Sequence, residues 1–147
     1  MSAPWFRRLI DGLSRKKATG GREILVVDDE PEICAMAQEM LAGAGWQVCT
    51  AGNREEALAR LGSGGGRVGL ALVDVMMPDS DGISLATALR QAQPGVEIVM
   101  LSGRLNEESR WVVNEHGHRF LPKPFGCDEL RDVVESILGE PPARPTP

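Results

Sequence analysis

At 147 residues the chain suits one domain and is long enough to bury a core without disulfide or metal staples. It is 42% hydrophobic and 25% charged, no apolar run approaches the roughly 18 residues of a membrane span, and Arg7 and Arg8 interrupt any secretory leader. The net charge of -5 is uneven: residues 1–22 carry six basic side chains against Asp11, and the remaining residues are strongly acidic. An acidic body excludes general nucleic-acid binding by the domain, because phosphate contacts dominate that affinity. Cys34, Cys49 and Cys127 are odd in number, far apart and form no CxxC. They fit a reducing cytoplasm and argue against a disulfide framework or a zinc site.

Glu23-Ile24-Leu25-Val26-Val27 is a short apolar run that ends in Asp28-Asp29 and reads as a buried strand. Pro31 suits the first turn of a helix, along which Ile33, Met36, Ala37, Met40, Leu41 and Ala44 recur at helical spacing. Gly43 and Gly45 close it. Trp46 to Thr50 fits a second strand. Asn53 is placed to cap a helix through Ala57, Leu58 and Leu61. Val68 to Val75 is the most apolar stretch and predicts a central strand, broken by Pro78 and the Asp79-Ser80-Asp81-Gly82 cluster. Ile83, Leu85, Ala86 and Leu89 predict the next helix. Pro94-Gly95 turns into a fourth strand over Val96–Leu101. A weaker helical pattern covers Asn106 to Glu115. Arg119-Phe120-Leu121 is a short fifth strand stopped by Pro122. Leu130, Val133, Val134, Ile137 and Leu138 predict an amphipathic last helix, and the Pro-rich tail follows.

This is strand–helix alternation repeated five times. It predicts an α/β fold with a parallel sheet and helices on both faces, because each right-handed crossover needs a helix. In such sheets the functional crevice lies at the carboxyl ends of the strands. Asp28 and Asp29 end the first strand, Asp74 sits near the end of the third, Ser102 ends the fourth and Lys123 follows the fifth. Three neighbouring carboxylates repel one another unless a cation joins them. Their hard oxygens suit Mg²⁺, and an adjacent ammonium and hydroxyl suit a phosphoryl group. The pattern reads as a site where an aspartate accepts a phosphoryl group.

The segments Val27-Asp28-Asp29-Glu30, Asp74-Val75-Met76-Met77-Pro78, Leu101-Ser102-Gly103 and Phe120-Leu121-Pro122-Lys123-Pro124-Phe125 resemble the receiver domain of two-component response regulators. The resemblance covers about residues 22–139, with 1–21 as a basic arm and 140–147 as a Pro-rich tail. It implies a flavodoxin-like, doubly wound sheet of five parallel strands in the order 2-1-3-4-5 with five helices. It also implies that Asp74 is the phosphoacceptor, that Asp28 and Asp29 ligate Mg²⁺ with the backbone carbonyl of Met76, and that Lys123 pairs with the phosphoryl oxygens. The Lys123–Pro124 bond is expected to be cis. Ser102 and Phe120 match the switch positions, with Ser102 bonding the phosphoryl group and the aromatic ring turning inward. The implied partners are a histidine kinase or histidine phosphotransfer protein and a downstream protein target. The expected role is that of a single-domain, cytoplasmic response regulator that is not a turnover enzyme on a separate metabolite.

Other features have plainer readings. Asp79 and Asp81 fit turn and cap roles, since Met77 occupies the first ligand place a calcium loop would need. Gly62-Ser63-Gly64-Gly65-Gly66 lacks the Gly-Lys-Ser/Thr ending of a phosphate loop and reads as a connection. His116 and His118 have no third ligand in view, and Trp111 fits either a surface contact or core filling. Trp5, Phe6, Leu9, Ile10 and Leu13 form an amphipathic pattern beside Arg15-Lys16-Lys17, which suits a docking peptide for an acidic partner or anionic membrane surface, or a disordered leader. The rival functional class is a phosphorylation-independent adaptor on the receiver fold. A flavin carrier or enzyme on the same sheet is a further rival, but acidic residues stand where its phosphate-cradling loop would follow the first strand.

Overall fold

The computed structural model describes residues 22–63, 67–77, 80–103 and 119–141. Five strands form one parallel sheet: β1 (Glu23–Val27), β2 (Val48–Ala51), β3 (Val68–Asp74), β6 (Glu97–Ser102) and β7 (Arg119–Pro122). Their order is β2-β1-β3-β6-β7, the expected 2-1-3-4-5 arrangement. The connecting helices are α1 (Pro31–Gly43), α2 (Arg54–Ser63), α3 (Gly82–Ala92) and α4 (Cys127–Leu138).

The two faces of the sheet are read directly from the strand period of two. Ile24, Val26, Leu70, Leu72, Val99, Leu101 and Leu121 share one core with α1 and α4, through Ala37, Leu41, Leu130, Val133 and Val134. Leu25, Val27, Ala71, Val73, Ile98 and Met100 share the other with α2 and α3, through Ala57, Leu61, Leu85, Ala86 and Leu89. Every residue of β3 is buried, as a central strand covered on both faces requires.

The helix starts follow local chemistry. Asn53 Oδ1 accepts from the Glu56 backbone N–H at 2.9 Å, and Glu56 Oε2 accepts from the Gly52 N–H at 2.9 Å, so α2 is capped reciprocally. Asp81 Oδ1 accepts from the Ile83 N–H at 3.0 Å and caps α3. Helix α1 ends at Gly43 with Ala44 as its C-cap, and Gly45 takes the positive φ of 104° that the turn requires. At the opposite end of the sheet from the acidic residues, Arg22 stacks over the Trp46 ring at 5.5 Å and donates to the Glu140 carbonyl. That contact links the residue before β1 to the residues that follow α4.

Three expectations are corrected. The second strand begins at Val48 rather than Trp46; the tryptophan is buried in the core before the strand starts. A short antiparallel ribbon, β4 (Met76–Met77) with β5 (Ser80–Asp81), lies beyond β3 where only a break is predicted. The described residues contain four helices, not five. The expected helix over Asn106–Glu115 falls outside them. Residues 1–21, 64–66, 78–79 and 142–147, with Trp111, His116 and His118, also lie outside the described residues. Among the described residues no helix is long and apolar enough to cross a membrane.

Candidate functional site

The sheet register brings the predicted residues to one edge. Val27 at the end of β1 pairs with Val73, so Asp28 and Asp74 leave the sheet side by side. Asp74 pairs with Leu101, which puts Ser102 next in line, and Ser102 pairs with Pro122, which delivers Lys123. The Lys123 N–H donates to the Ser102 carbonyl at 2.6 Å, and the following Lys123–Pro124 bond is cis.

Carboxylate oxygens of Asp28, Asp29 and Asp74 all lie within 4.8 Å of one another. Asp28 and Asp74 are buried and Asp29 is exposed. Burying carboxylates so close together costs heavily unless fixed donors and cations compensate. The protein supplies both. Asp28 Oδ1 accepts from the Glu30 N–H at 2.9 Å, and Asp74 Oδ1 accepts from the Met76 N–H at 3.1 Å. The Lys123 ammonium lies 2.6 Å from Asp28 Oδ2, 3.5 Å from Asp74 Oδ2 and 3.9 Å from Glu30 Oε1.

These contacts do not fully offset burial at Asp74, whose proton is held more tightly than on a free carboxylate. Burial raises its pKa to about 6, opposed by the Met76 N–H and Lys123 and reinforced by Asp28. Burial works against the Lys123 charge, but the hydrogen bond to Asp28 and the charges of Asp74, Asp28 and Glu30 outweigh it, so its pKa moves up. Beyond its ion pair with Lys123, the buried Asp28 Oδ2 has no hydrogen-bond partner among the described residues. A hard divalent cation supplies what such an oxygen lacks, and an all-carboxylate donor set is the chemistry Mg²⁺ prefers. The residues therefore fit a Mg²⁺ ion held by Asp28, Asp29 and Asp74.

Beside the carboxylates lies an open cavity of about 380 Å³, lined by Glu30, Asp74, Val75, Met76, Ser102, Gly103 and Lys123. Ser102 is buried at its wall, and Met76 is the exposed large hydrophobic residue at its rim. Phe120 stands apart, half-buried on β7 at the margin of the second core. Glu30 and Gly82 are the residues that sequence reasoning passed over. Glu30 belongs to the Asp-Asp-Glu run but drew no role; its signal was a glutamate at a helix N-cap, where shorter side chains are preferred. Gly82 packs its α-carbon onto the Asp74 peptide, where a Cβ would overlap the carbonyl oxygen.

Residues 24–135 match the response regulator receiver domain family. The chain belongs to that family. The receiver domain is 38% identical over 117 residues to the transcriptional regulatory protein CpxR of Escherichia coli, a stretch that is 79% of this chain and 49% of CpxR. It thus spans about half the length of such curated relatives. Among solved structures it resembles the receiver domain of NtrX from Brucella abortus, with 32% identity, a TM-score of 0.71 and coverage of 79% of this chain and 98% of that one. It also resembles the chemotaxis protein CheY4 of Vibrio cholerae, with 29% identity, a TM-score of 0.72 and coverage of 80% and 99%. Receiver domains act in phosphorelay signalling and are signalling modules rather than enzymes that turn over a separate substrate. The acidic cluster of this receiver domain is suited to Mg²⁺-assisted phosphoryl transfer.

Proposed function

We propose that Asp74 accepts a phosphoryl group from the phosphohistidine of a histidine kinase or histidine phosphotransfer protein. The observation that carries this reading is the meeting of three carboxylates and Lys123 at one edge of the sheet, beside an open cavity with room for a phosphoryl group. A carboxylate oxygen of Asp74 forms the new bond to phosphorus while the bond to the donor nitrogen breaks. The catalytic contribution is positioning and charge neutralisation. Lys123 offers its ammonium to the phosphoryl oxygens, and the Met76 N–H holds Asp74 in place. Mg²⁺ held by Asp28 and Asp29, with the backbone carbonyl of Met76, would supply positive charge to the transferring group.

In this reading roughly two negative charges are added at Asp74. Ser102 moves to bond them, and Phe120 follows inward, which changes the surface around β7 and α4 that a downstream protein contacts. Residues 22–139 form the responding unit, joined to the basic arm of 1–21 and the tail of 140–147. Unpaired, scattered cysteines support a cytoplasmic location.

Incubation with Mg²⁺ and acetyl phosphate, followed by borohydride reduction and peptide mapping, tests the assignment. Borohydride converts an aspartyl phosphate to homoserine. The expected result is homoserine at position 74. Homoserine at 28 or 29 instead would overturn it.

A further inference from the structure

Glu30 occupies the N-cap position of α1, yet its side chain makes no capping hydrogen bond. Its backbone is fully committed. The N–H donates to Asp28 Oδ1, and the carbonyl accepts from the Ile33 and Cys34 N–H groups at 3.1 and 3.3 Å. The carboxylate is therefore anchored at its root but not used by the helix. It is 60% exposed, lies 3.9 Å from the Lys123 ammonium and lines the same cavity as Asp74. Whatever reaches Asp74 through that cavity passes a fixed negative charge that shares the lysine.

We propose that Glu30 is a specificity-determining residue of this site, whose charge favours nitrogen–phosphorus donors over acyl phosphates. The inference rests on the reading of Asp74 as phosphoacceptor. A protonated nitrogen leaving group gives its donor one negative charge less than an acyl phosphate carries. Phosphohistidine with a protonated ring and phosphoramidate are of the first kind, and acetyl phosphate is of the second. In either transfer an Asp74 oxygen bonds to phosphorus, and the leaving group departs with the electron pair of the broken bond, as acetate from one donor and as ammonia from the other. No oxidant or further reactant is needed. Glu30 repels the more anionic donor more strongly and weakens the hold of Lys123 on incoming phosphoryl oxygens. For a side chain as exposed as Glu30, one unit-charge contact is screened by water and amounts to at most roughly a fivefold change.

The test measures labelling rates of wild type, Glu30→Gln and Glu30→Asp with acetyl phosphate and with phosphoramidate at low ionic strength. Glu30→Gln is expected to accelerate acetyl phosphate up to about fivefold more than phosphoramidate. Added salt should shrink that difference, and Glu30→Asp should restore the wild-type ratio. A merely structural role would move both donors together, and an equal effect on both overturns the proposal. A Mg²⁺ titration of the same proteins gives a second readout, in which Glu30→Gln should weaken binding several-fold at low salt. If neither donor labels wild type and wild type binds no Mg²⁺, the reading of Asp74 falls; if it binds Mg²⁺ without labelling, the titration decides Glu30, with unchanged Mg²⁺ affinity in Glu30→Gln overturning its role.

Discussion

Lys123 pairs more closely with Asp28 than with Asp74: its ammonium is 2.6 Å from Asp28 Oδ2 and 3.5 Å from Asp74 Oδ2. The lysine expected to serve the phosphoryl group is therefore also the counter-ion of a fully buried carboxylate. Its position depends on how much positive charge Asp28 receives from elsewhere.

That relationship makes Lys123→Met informative. Removing the ammonium leaves Asp28 buried with the Glu30 N–H as its remaining donor. Breaking a buried pair on one side costs about 3–5 kcal/mol. Urea unfolding without divalent cation should show a loss near the lower end of that range, because the cleft is open to water. Saturating Mg²⁺ should recover more stability in the variant than in wild type. Equal Mg²⁺ effects on both proteins would show that the lysine and the cation do not compete for Asp28.

Asp74 gives the fold a pH dependence of definite sign. Its folded pKa of about 6 lies above the ordinary 3.8 because burial penalises the carboxylate. The folded chain thus binds this proton more tightly than the unfolded chain. The stability it contributes is fully present below about pH 3.8 and is lost as pH rises through about 6. Asp74→Asn should therefore stabilise the metal-free protein at pH 7.5 by up to about 3 kcal/mol, with the gain vanishing toward pH 4. Denaturant titrations at the two pH values check it. A variant less stable than wild type at pH 7.5 would contradict the argument.

Gly82 should tolerate no side chain. A Cβ there would overlap the Asp74 carbonyl oxygen and come within 2.9 Å of Asp74 C and Val75 Cα, all backbone atoms that cannot swing aside. Gly82→Ala must push α3 away from the end of β3, at a cost of about 1–3 kcal/mol. Mg²⁺ affinity should fall at least tenfold as the Asp74 backbone shifts. Gly62→Ala is the control. Its Cβ meets nothing within 4 Å, so the helical gain of alanine over glycine should appear as about 0.5–1 kcal/mol of added stability. Thermal or denaturant unfolding of both variants, with a Mg²⁺ titration, separates the two outcomes.

Most of the architecture was legible because burial speaks strongly in this fold. Strand β3 reads as a continuous apolar run, and the single carboxylate at its end has no structural excuse. The convergence of Asp28, Asp29, Asp74, Ser102 and Lys123 follows from parallel strands whose carboxyl ends share one edge. What stayed hidden depends on tertiary approach rather than pattern. The ribbon of Met76–Met77 with Ser80–Asp81 has two residues a side, too short for alternation to register. The need for glycine at 82 arises only where α3 meets the Asp74 peptide. Glu30 drew no role in the sequence, and only the fold places its carboxylate beside Lys123 and the cavity. The described residues hold four helices where five were expected, and the expected helix over Asn106–Glu115 lies outside them.

Intact-protein mass spectrometry after incubation with Mg²⁺ and acetyl phosphate tests the central claim most directly. Wild type, Asp74→Ala and wild type with the Mg²⁺ chelated are compared. Phosphoryl transfer to Asp74 requires a labile gain of one phosphoryl group in wild type with Mg²⁺, and in neither other sample. Equal gain in Asp74→Ala would contradict the assignment of the acceptor. No gain in wild type, together with no Mg²⁺ binding by titration, would favour an adaptor that uses the fold without the chemistry.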